Sequence, residues 1–387
     1  VLDDGRIRAA IITLDYLGFD FAYSDRLIKA AAEPSGVPAE HVLLNCSHTH
    51  SAPLTAPWGP WKEHRGQAFH NMLPKDVAHV AKAAADSLKP ATLRYARTPV
   101  QIGFNRRLLH NNRITMAPNP NGAVVPWVDV LRVEGADGKP IAVLFSHAAH
   151  PVIVHGASTL ISADYPGFAV SHVRRGMNDA TCLFAQGCCG NINGFPLRGG
   201  LDAAKAAGRD LGDAVLRALN DASSVIPDHA FRVESKELQL PLAEPPALDE
   251  LRRWHGGEKR AERKQRFAEL IAIAKRQTRP TMRFPMRAIA IGDKLCILGL
   301  PHEPFAEYHH HVLKHSSFKH NMVLAYTNGL ECYVGTKKAY LLGDRGGYET
   351  SPWGAAFMFR SRLPLAPEAE AQIHQGVEQL LDGLHRT

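Results

Sequence analysis

Short apolar runs alternate along the chain with stretches in which apolar residues recur every three or four positions. The helical pattern is clearest over residues 76–88, where Val77, Val80, Ala81 and Ala84 share one face and Pro90 follows the end. The same patterns predict strands at 8–13, 42–46, 128–133, 141–145, 181–185, 231–240, 284–291, 295–300 and 322–326, and helices at 25–32, 203–219, 305–315 and 367–384. This alternation predicts an α/β fold with mixed sheets and flanking helices.

A charged helical stretch at 247–280 interrupts the alternation, and we interpret it as an inserted helical arm. Because the sequence contains no internal repeat and no low-complexity linker, we expect a single domain over residues 1–387. The chain begins at Val1 within the pattern of a strand–turn unit, so we expect a preceding segment to be missing. The presence of a signal peptide therefore stays open.

The net charge of the 387 residues is +7, a value that raises the question of an acidic partner. Residues 251–280 contain ten Lys or Arg and three Glu, so this arm accounts for the whole excess. Apolar positions such as Trp254 and Phe267 favour a solvated helical face, and we predict no nucleic-acid partner. A surface contact through residues 251–279, for example with acidic lipid, is the next alternative. No apolar run approaches the ~20 residues that a membrane-spanning helix needs.

Polar segments follow five of the predicted strands, at the positions where active sites of α/β proteins commonly gather. His48 and His50 follow strand 42–46, and residues two apart in an extended segment point to the same side. His150 follows strand 141–145, and imidazole is a common zinc ligand. Asp164 precedes the next helix, where helix capping is an equally ordinary role.

The other three segments offer amide, thiol, carboxylate and phenol groups. Cys188 and Asn193 belong to a loop of small and polar residues after strand 181–185. Such a loop either presents backbone N–H groups to a developing oxyanion or forms a plain turn. Glu303 follows strand 295–300, and Tyr333 follows strand 322–326.

Histidines are dense in and around the predicted helix at 305–315, at positions 302, 309, 310, 311, 315 and 320. Three consecutive residues of a helix point in three directions, so His309, His310 and His311 cannot all meet one ion. We therefore predict that these histidines lie at the surface.

Together and in this order, the five segments resemble the neutral, non-lysosomal ceramidase family over nearly the whole chain. Residues 47–53 resemble its first zinc motif, and His150-Pro151 with residues 162–167 resembles the second. Residues 301–305 are similar to the segment of its glutamate ligand, and residues 327–336 to that of its tyrosine ligand. Residues 103–107 and 347–349 also match family patterns. Each motif alone is weak, and their common order makes the resemblance specific.

The resemblance implies a ceramidase-like catalytic domain that holds Zn²⁺ through His48, His150, Glu303 and Tyr333. It also implies that His50 moves a proton or binds substrate, and that Arg106 holds an anionic group. We expect contacts of Asp164, Cys188 and Tyr348 with a small-molecule, lipid or glycan substrate. A periplasmic or extracellular location follows from the resemblance, a cytoplasmic one stays open, and the sequence predicts no oligomeric state.

Two departures from the family pattern bear on the mechanism. Asn193 occupies the position of the proposed nucleophilic serine, and Asn191 replaces an aspartate. Since an amide is no nucleophile, attack by a zinc-activated water is the simplest replacement, with Asn193 as an oxyanion donor. A thiolate of Cys188 or Cys189 is a less favoured nucleophile. Because the chain ends in the predicted helix 367–384, we also expect the family's C-terminal immunoglobulin-like domain to be absent.

The sequence thus predicts a zinc-dependent hydrolase of an amide (N-acyl) bond. Two alternatives stay open at this point. The same metal site could act on an acidic sugar or polysaccharide by hydrolysis or lyase chemistry, or the chain could be a metal-binding protein without catalysis.

Overall fold

The computed structural model describes residues 1–54, 67–156, 158–178, 180–220, 224–226, 230–276, 278–360 and 362–386. The strands are β1 (Leu2–Asp3), β2 (Arg8–Leu14), β3 (Val42–Cys46), β4 (Ala91–Pro99), β5 (Gly103–Asn105), β6 (Arg107–His110), β7 (Arg113–Met116), β8 (Trp127–Gly135), β9 (Pro140–His147), β10 (Thr181–Gln186), β11 (Ile192–Gly194), β12 (Ser224–Val225), β13 (Phe231–Pro241), β14 (Thr281–Ile291), β15 (Leu295–Gly299), β16 (Glu303–Pro304), β17 (His320–Leu324) and β18 (Tyr333–Val334). The helices are α1 (Phe21–Ser35), α2 (Gln67–Asp86), α3 (Asp164–Gly176), α4 (Leu201–Asn220), α5 (Leu248–Gly257), α6 (Ala261–Ala274), α7 (Ala306–His315), α8 (Lys337–Tyr340), α9 (Gly347–Thr350), α10 (Ala355–Arg360) and α11 (Ala369–Arg386).

Three sheets form the framework, with strand orders β1-β2-β3, β10-β9-β8-β4-β12 and β13-β14-β15-β17. Each combines antiparallel neighbours with one parallel pair, namely β2 with β3, β9 with β10, and β15 with β17. The predicted α/β fold with mixed sheets is therefore confirmed. Strands β3 and β15 are buried at every residue, which explains why they are continuous apolar runs in the sequence.

Helices pack in pairs and on the sheets: α1 lies on α2, α3 on α4, and α11 on β13. Helix α2 begins at Gln67, earlier than the predicted residue 76, because Leu73 continues the buried face of Val77 and Ala81 through Pro74. Among the described residues, we find no helix with the length and apolar content needed to cross a bilayer.

The stretch 247–280, which the sequence analysis interpreted as a helical arm, contains two helices. Helices α5 and α6 bury Leu251, Phe267 and Leu270 in a small cluster with Phe357 and Leu363. Most of their basic side chains are exposed, whereas Arg263 lies over the rings of Phe267 and Phe357. Several pair with acids of the same arm, for example Arg266 with Glu262 at 2.6 Å.

Three buried amide side chains connect the framework sheets; we call Asn45, Gln186 and Asn328 the amide brace. Asn45 Nδ2 donates to the carbonyl of Ala325 at 2.6 Å, and its Oδ1 accepts from the N–H of Gln186 at 2.8 Å. Gln186 Nε2 donates to the Ser47 carbonyl at 2.8 Å. Asn328 Oδ1 accepts from the N–H of Leu44 at 2.8 Å. The brace thereby holds the ends of β3, β10 and β17 together.

Candidate metal centre

Three side chains from three different sheets converge at these strand ends. His48 follows β3, His150 follows β9, and Glu303 opens β16, shortly after β15. Oε2 of Glu303 lies 3.1 Å from Nε2 of His150 and 3.3 Å from Nε2 of His48. All three side chains are buried. The structure thus assembles three of the four ligands that the resemblance implied.

Backbone carbonyls fix which nitrogen of each imidazole carries the proton. Nδ1 of His48 donates to the Leu17 carbonyl at 2.5 Å, and Nδ1 of His150 donates to the Cys189 carbonyl at 2.8 Å. A carbonyl only accepts, so in a neutral ring Nε2 is left with a lone pair. Such carbonyl partners are typical of histidines that bind metals.

The convergence of lone pairs is the strongest reason to expect a cation here. Burial lowers the pKa of His150 to about 3, so its imidazole is neutral. Burial would raise the pKa of Glu303, but His48 and His150 outweigh it and hold the pKa below its usual range, so the carboxylate is ionised. Two imidazole nitrogens and a carboxylate oxygen then face one another in a buried space. This donor set fits Zn²⁺.

His50 lies beside this group and is partly exposed. Its Nε2 is 3.3 Å from Nε2 of His48, and ligand atoms of His48, His50 and His150 all lie within 4.8 Å of one another. Burial and the neighbouring histidines lower the pKa of His50 well below its usual value. Its carbonyl accepts a hydrogen bond from His155 at 3.2 Å.

Tyr333 enters the centre from the strand beside Glu303. The two residues are register partners in the parallel pair β16–β18. Oη of Tyr333 accepts from Nη2 of Arg106 at 3.1 Å, and its ring lies 6.5 Å from that of His150. Burial and Glu303 raise the pKa of Tyr333 well above the usual value, against the effect of Arg106.

Arg106 is buried, and its N–H groups donate hydrogen bonds to other groups of the protein. It donates to Glu349 Oε1, Asn193 Oδ1 and the Gly190 carbonyl, each at 2.8 Å, besides Tyr333. The geometry therefore places Arg106 behind the centre as a positioning residue. It leaves little of the guanidinium for the anionic group that the sequence analysis assigned to it.

The fold itself is similar to that of solved structures. A crystal structure of neutral ceramidase from Pseudomonas aeruginosa matches with a TM-score of 0.70 and 18% identity, over 97% of this chain and 66% of that chain. A structure described as ceramidase complexed with C2 matches with a TM-score of 0.71 and 17% identity, over 97% of this chain and 67% of that chain. The chain has the neutral ceramidase fold. It spans about two thirds of the length of those proteins. No protein-family model and no curated protein sequence matches it.

Within this ceramidase fold, Asn193 lies in β11, where it forms a bridge with His150. Because Oδ1 accepts from Arg106, the amide has a fixed orientation, and its donor group Nδ2 is at the opposite end. Asn191 has a structural role: its Oδ1 accepts from the N–H of Ala306 at the start of α7, and its Nδ2 donates to Glu307.

Two of the residues expected to contact substrate are buried within the protein. Cys188 is fully buried in the main hydrophobic core, and burial raises the pKa of its thiol, so it is a packing residue. Asp164 is also buried, with Oδ2 accepting from the N–H of Val154 and Oδ1 from that of Tyr165. Both carboxylate oxygens therefore accept hydrogen bonds from backbone N–H groups, although Asp164 is the first residue of α3 and the N-cap position belongs to Ala163. Tyr348 differs, since it is partly exposed and its ring lies 5.7 Å from that of Tyr333.

The prediction that the histidines around α7 lie at the surface is wrong for two of them. His302 is buried, with Nε2 donating to the Arg283 carbonyl and Nδ1 accepting from the N–H of Glu331. His309 is buried against Trp127. The reason is that α7 is covered on more than one side, by the β8 region and by α11, so only part of its circumference is exposed.

Sequence reasoning missed Tyr326 and His155. The ring of Tyr326 lies 4.3 Å from that of His48, and its Oη is 3.5 Å from Glu303 Oε2 and accepts from Cys189 Sγ. Tyr326 was interpreted as the end of a strand. His155 was signalled only by its position in the same segment as His150.

Proposed function

We propose that the protein is a zinc-dependent hydrolase of amide (N-acyl) bonds. The observation that carries the proposal is the convergence of two imidazole Nε2 atoms, those of His48 and His150, on the Glu303 carboxylate inside a ceramidase fold. His48, His150 and Glu303 would hold the ion, with Tyr333 as the fourth ligand. A bound zinc ion supplies Lewis acidity, which activates a water and polarises a carbonyl.

Two residues of the protein would then provide proton transfer and stabilisation of the oxyanion. His50 is partly exposed and has its Nε2 next to the donor set, so it can take a proton from the attacking water and pass it to the leaving nitrogen. Asn193 offers the Nδ2 donor to the developing oxyanion, because Arg106 holds its Oδ1. No serine nucleophile is required.

The loops around the centre favour an amphipathic substrate with an apolar acyl group. Thr49 Oγ1 donates to the Ser162 carbonyl at 2.7 Å, so the loop before α3 lies against the His48–His50 segment. That loop exposes Leu160 and Ile161, and the loop after Asn193 exposes Phe195 and Leu197. Their exposed fractions lie between 40% for Leu197 and 69% for Ile161. Exposed apolar side chains grouped at a site are typical of a binding surface.

The first prediction tests the metal and the chemistry together. We expect wild-type protein to contain zinc and to cleave N-acyl lipids, and a chelator to abolish cleavage until zinc is restored. His48→Ala should lose the zinc ion of this centre together with the activity. Asn193→Ala should keep its zinc but lose turnover by about 10²–10³-fold, as when an oxyanion donor is removed. Metal analysis and a substrate panel of N-acyl lipids, short N-acyl amino acids and uronic-acid oligosaccharides give the readout.

The exposed His110 provides the matched control, since His110→Ala removes an imidazole far from this donor set in sequence and should change neither quantity. Full activity of His48→Ala would contradict the proposal. Cleavage of the oligosaccharides and of no N-acyl compound would contradict the proposed amide substrate but not the proposed metal site.

A further inference from the structure

A second group of ligand-type side chains lies between α7 and α11. His311 and His315 are one helical turn apart on α7, and His374 and Glu378 are one turn apart on α11. Nε2 of His311 lies 3.1 Å from Oε1 of Glu378, and Nδ1 of His315 lies 3.4 Å from the same oxygen. Ligand atoms of these three residues all lie within 4.8 Å of one another.

The hydrogen bonding of this group is incomplete. Nε2 of His311 is buried and, among the described residues, no acceptor or donor meets it with hydrogen-bond geometry, although Glu378 is close. The ring of His311 stacks on those of His374 and His315, with distances between ring centroids of 3.6 Å and 4.3 Å. Three imidazole rings and one carboxylate group therefore lie close together, and the buried Nε2 of His311 has no hydrogen-bond partner among the described residues.

We propose that His311, His315 and Glu378 form a second transition-metal site, of the class that binds Zn²⁺, with His374 stacked against it. Imidazole and carboxylate ligands suit this class of ion, and residues at i and i+4 of a helix lie on one face and can share it. The site shares no residue with the centre at His48, so it does not depend on the proposed hydrolase function.

The site would have a structural role, because it joins two helices that are distant in sequence. Helix α7 starts three residues after Glu303, and Asn191 accepts from its first N–H. An ion held between α7 and α11 would tie the segment that carries Glu303 to the C-terminal helix. The exposure of His315 and Glu378, 37% and 42% of the side chain, leaves a path for the ion.

The test is a zinc titration by calorimetry on full-length, chelator-treated protein in a His48→Ala background, which removes the first centre. We expect about one zinc ion per chain, as for a single site, and a zinc-dependent rise in melting temperature. Both should disappear in His48→Ala/His315→Ala and in His48→Ala/Glu378→Gln. Glu378→Gln keeps the size of the side chain, so a loss of zinc binding in this variant is not explained by a cavity. Circular dichroism checks that both variants are folded.

The matched control is His48→Ala/His79→Ala, because His79 is an exposed histidine on another helix, and its titration should be unchanged. Zinc binding that persists in the His315 and Glu378 variants would overturn the proposal. Absence of zinc binding in the His48→Ala background would overturn it too, whatever the activity assays of the wild-type protein show.

Discussion

Gly190 lies where its loop closely approaches strand β16, next to the candidate metal centre. Its N–H donates to the Pro304 carbonyl at 2.9 Å, and its own carbonyl accepts from Arg106. A Cβ at this position would overlap the carbonyl oxygen of Glu303. Only glycine allows the loop to approach the ligand strand this closely.

We therefore predict that Gly190→Ala displaces the backbone of Glu303 and weakens zinc binding by at least about tenfold, as expected when a ligand loses its support. Equilibrium dialysis with zinc measures the effect. Gly257→Ala is the control, because a Cβ there meets nothing within 4 Å. Equal zinc affinity of the two variants would refute the role given to Gly190.

The residue scale also shows what a sequence can and cannot predict about such a site. His48, His150 and Glu303 were predictable, since each follows an apolar strand and belongs to a motif with a fixed residue type. Their orientation was not, because it depends on the carbonyls of Leu17 and Cys189, which any residue would supply. The acceptors of Arg106 could not be predicted either, because they come from residues 190, 193, 333 and 349, which are distant in sequence.

At the scale of elements, the arm formed by α5 and α6 shows that a basic segment can be locally balanced. Arg252 pairs with Asp249 and Arg253 with Glu250, two acids just outside the window that made the segment look so basic. Glu258 lies beside both Arg260 and Arg263. Such exposed pairs contribute little to stability, so the apolar cluster beneath them holds the arm in place.

We predict that Phe267→Ala, which removes the ring at the centre of that cluster, lowers the free energy of local unfolding of the arm by about 3–5 kcal/mol. Faster hydrogen exchange confined to α5, α6 and α10 would show it. Lys264→Ala, on the exposed face of the same helix, should leave exchange unchanged. Uniform exchange changes across the sheets would contradict an independently packed arm.

The boundaries of helices and strands were predicted well where an element buries either one face or all of its residues. Strand β3 was predicted at its observed bounds, because all five of its residues are apolar or small enough to be buried. Helix α2 was predicted too short, because the prediction rested on the periodic positions from Val77 onward, whereas Leu73 buries the same face before Pro74. The short strands β5, β11, β16 and β18 carry no periodicity of their own and follow from tertiary contacts.

At the scale of the whole molecule, the amide brace decides how the three sheets meet. Asn45 alone joins β3 to Gln186 and to Ala325. Its side chain is fully buried, so no water replaces these hydrogen bonds if the amide is lost. No pattern in the sequence indicated this role, because Asn45 falls within the predicted strand 42–46 and was interpreted only as part of it.

We predict that Asn45→Ala lowers the free energy of unfolding by about 1–3 kcal/mol, since it leaves the buried N–H of Gln186 without its acceptor. Denaturant unfolding measures the change. Asn121→Ala, at an exposed turn, should stay within about 0.5 kcal/mol of wild type. An equally small effect at Asn45 would show that the sheets are held by apolar packing alone.

The origin of the proposed metal ligands bears on how the protein would mature. His48 and His150 follow strands of two different sheets, while Glu303 and Tyr333 are partners in the β16–β18 pair, distant from both histidines in sequence. The complete donor set would therefore not exist in a nascent chain. A partly folded chain would present only part of it, so we expect metal uptake late in folding.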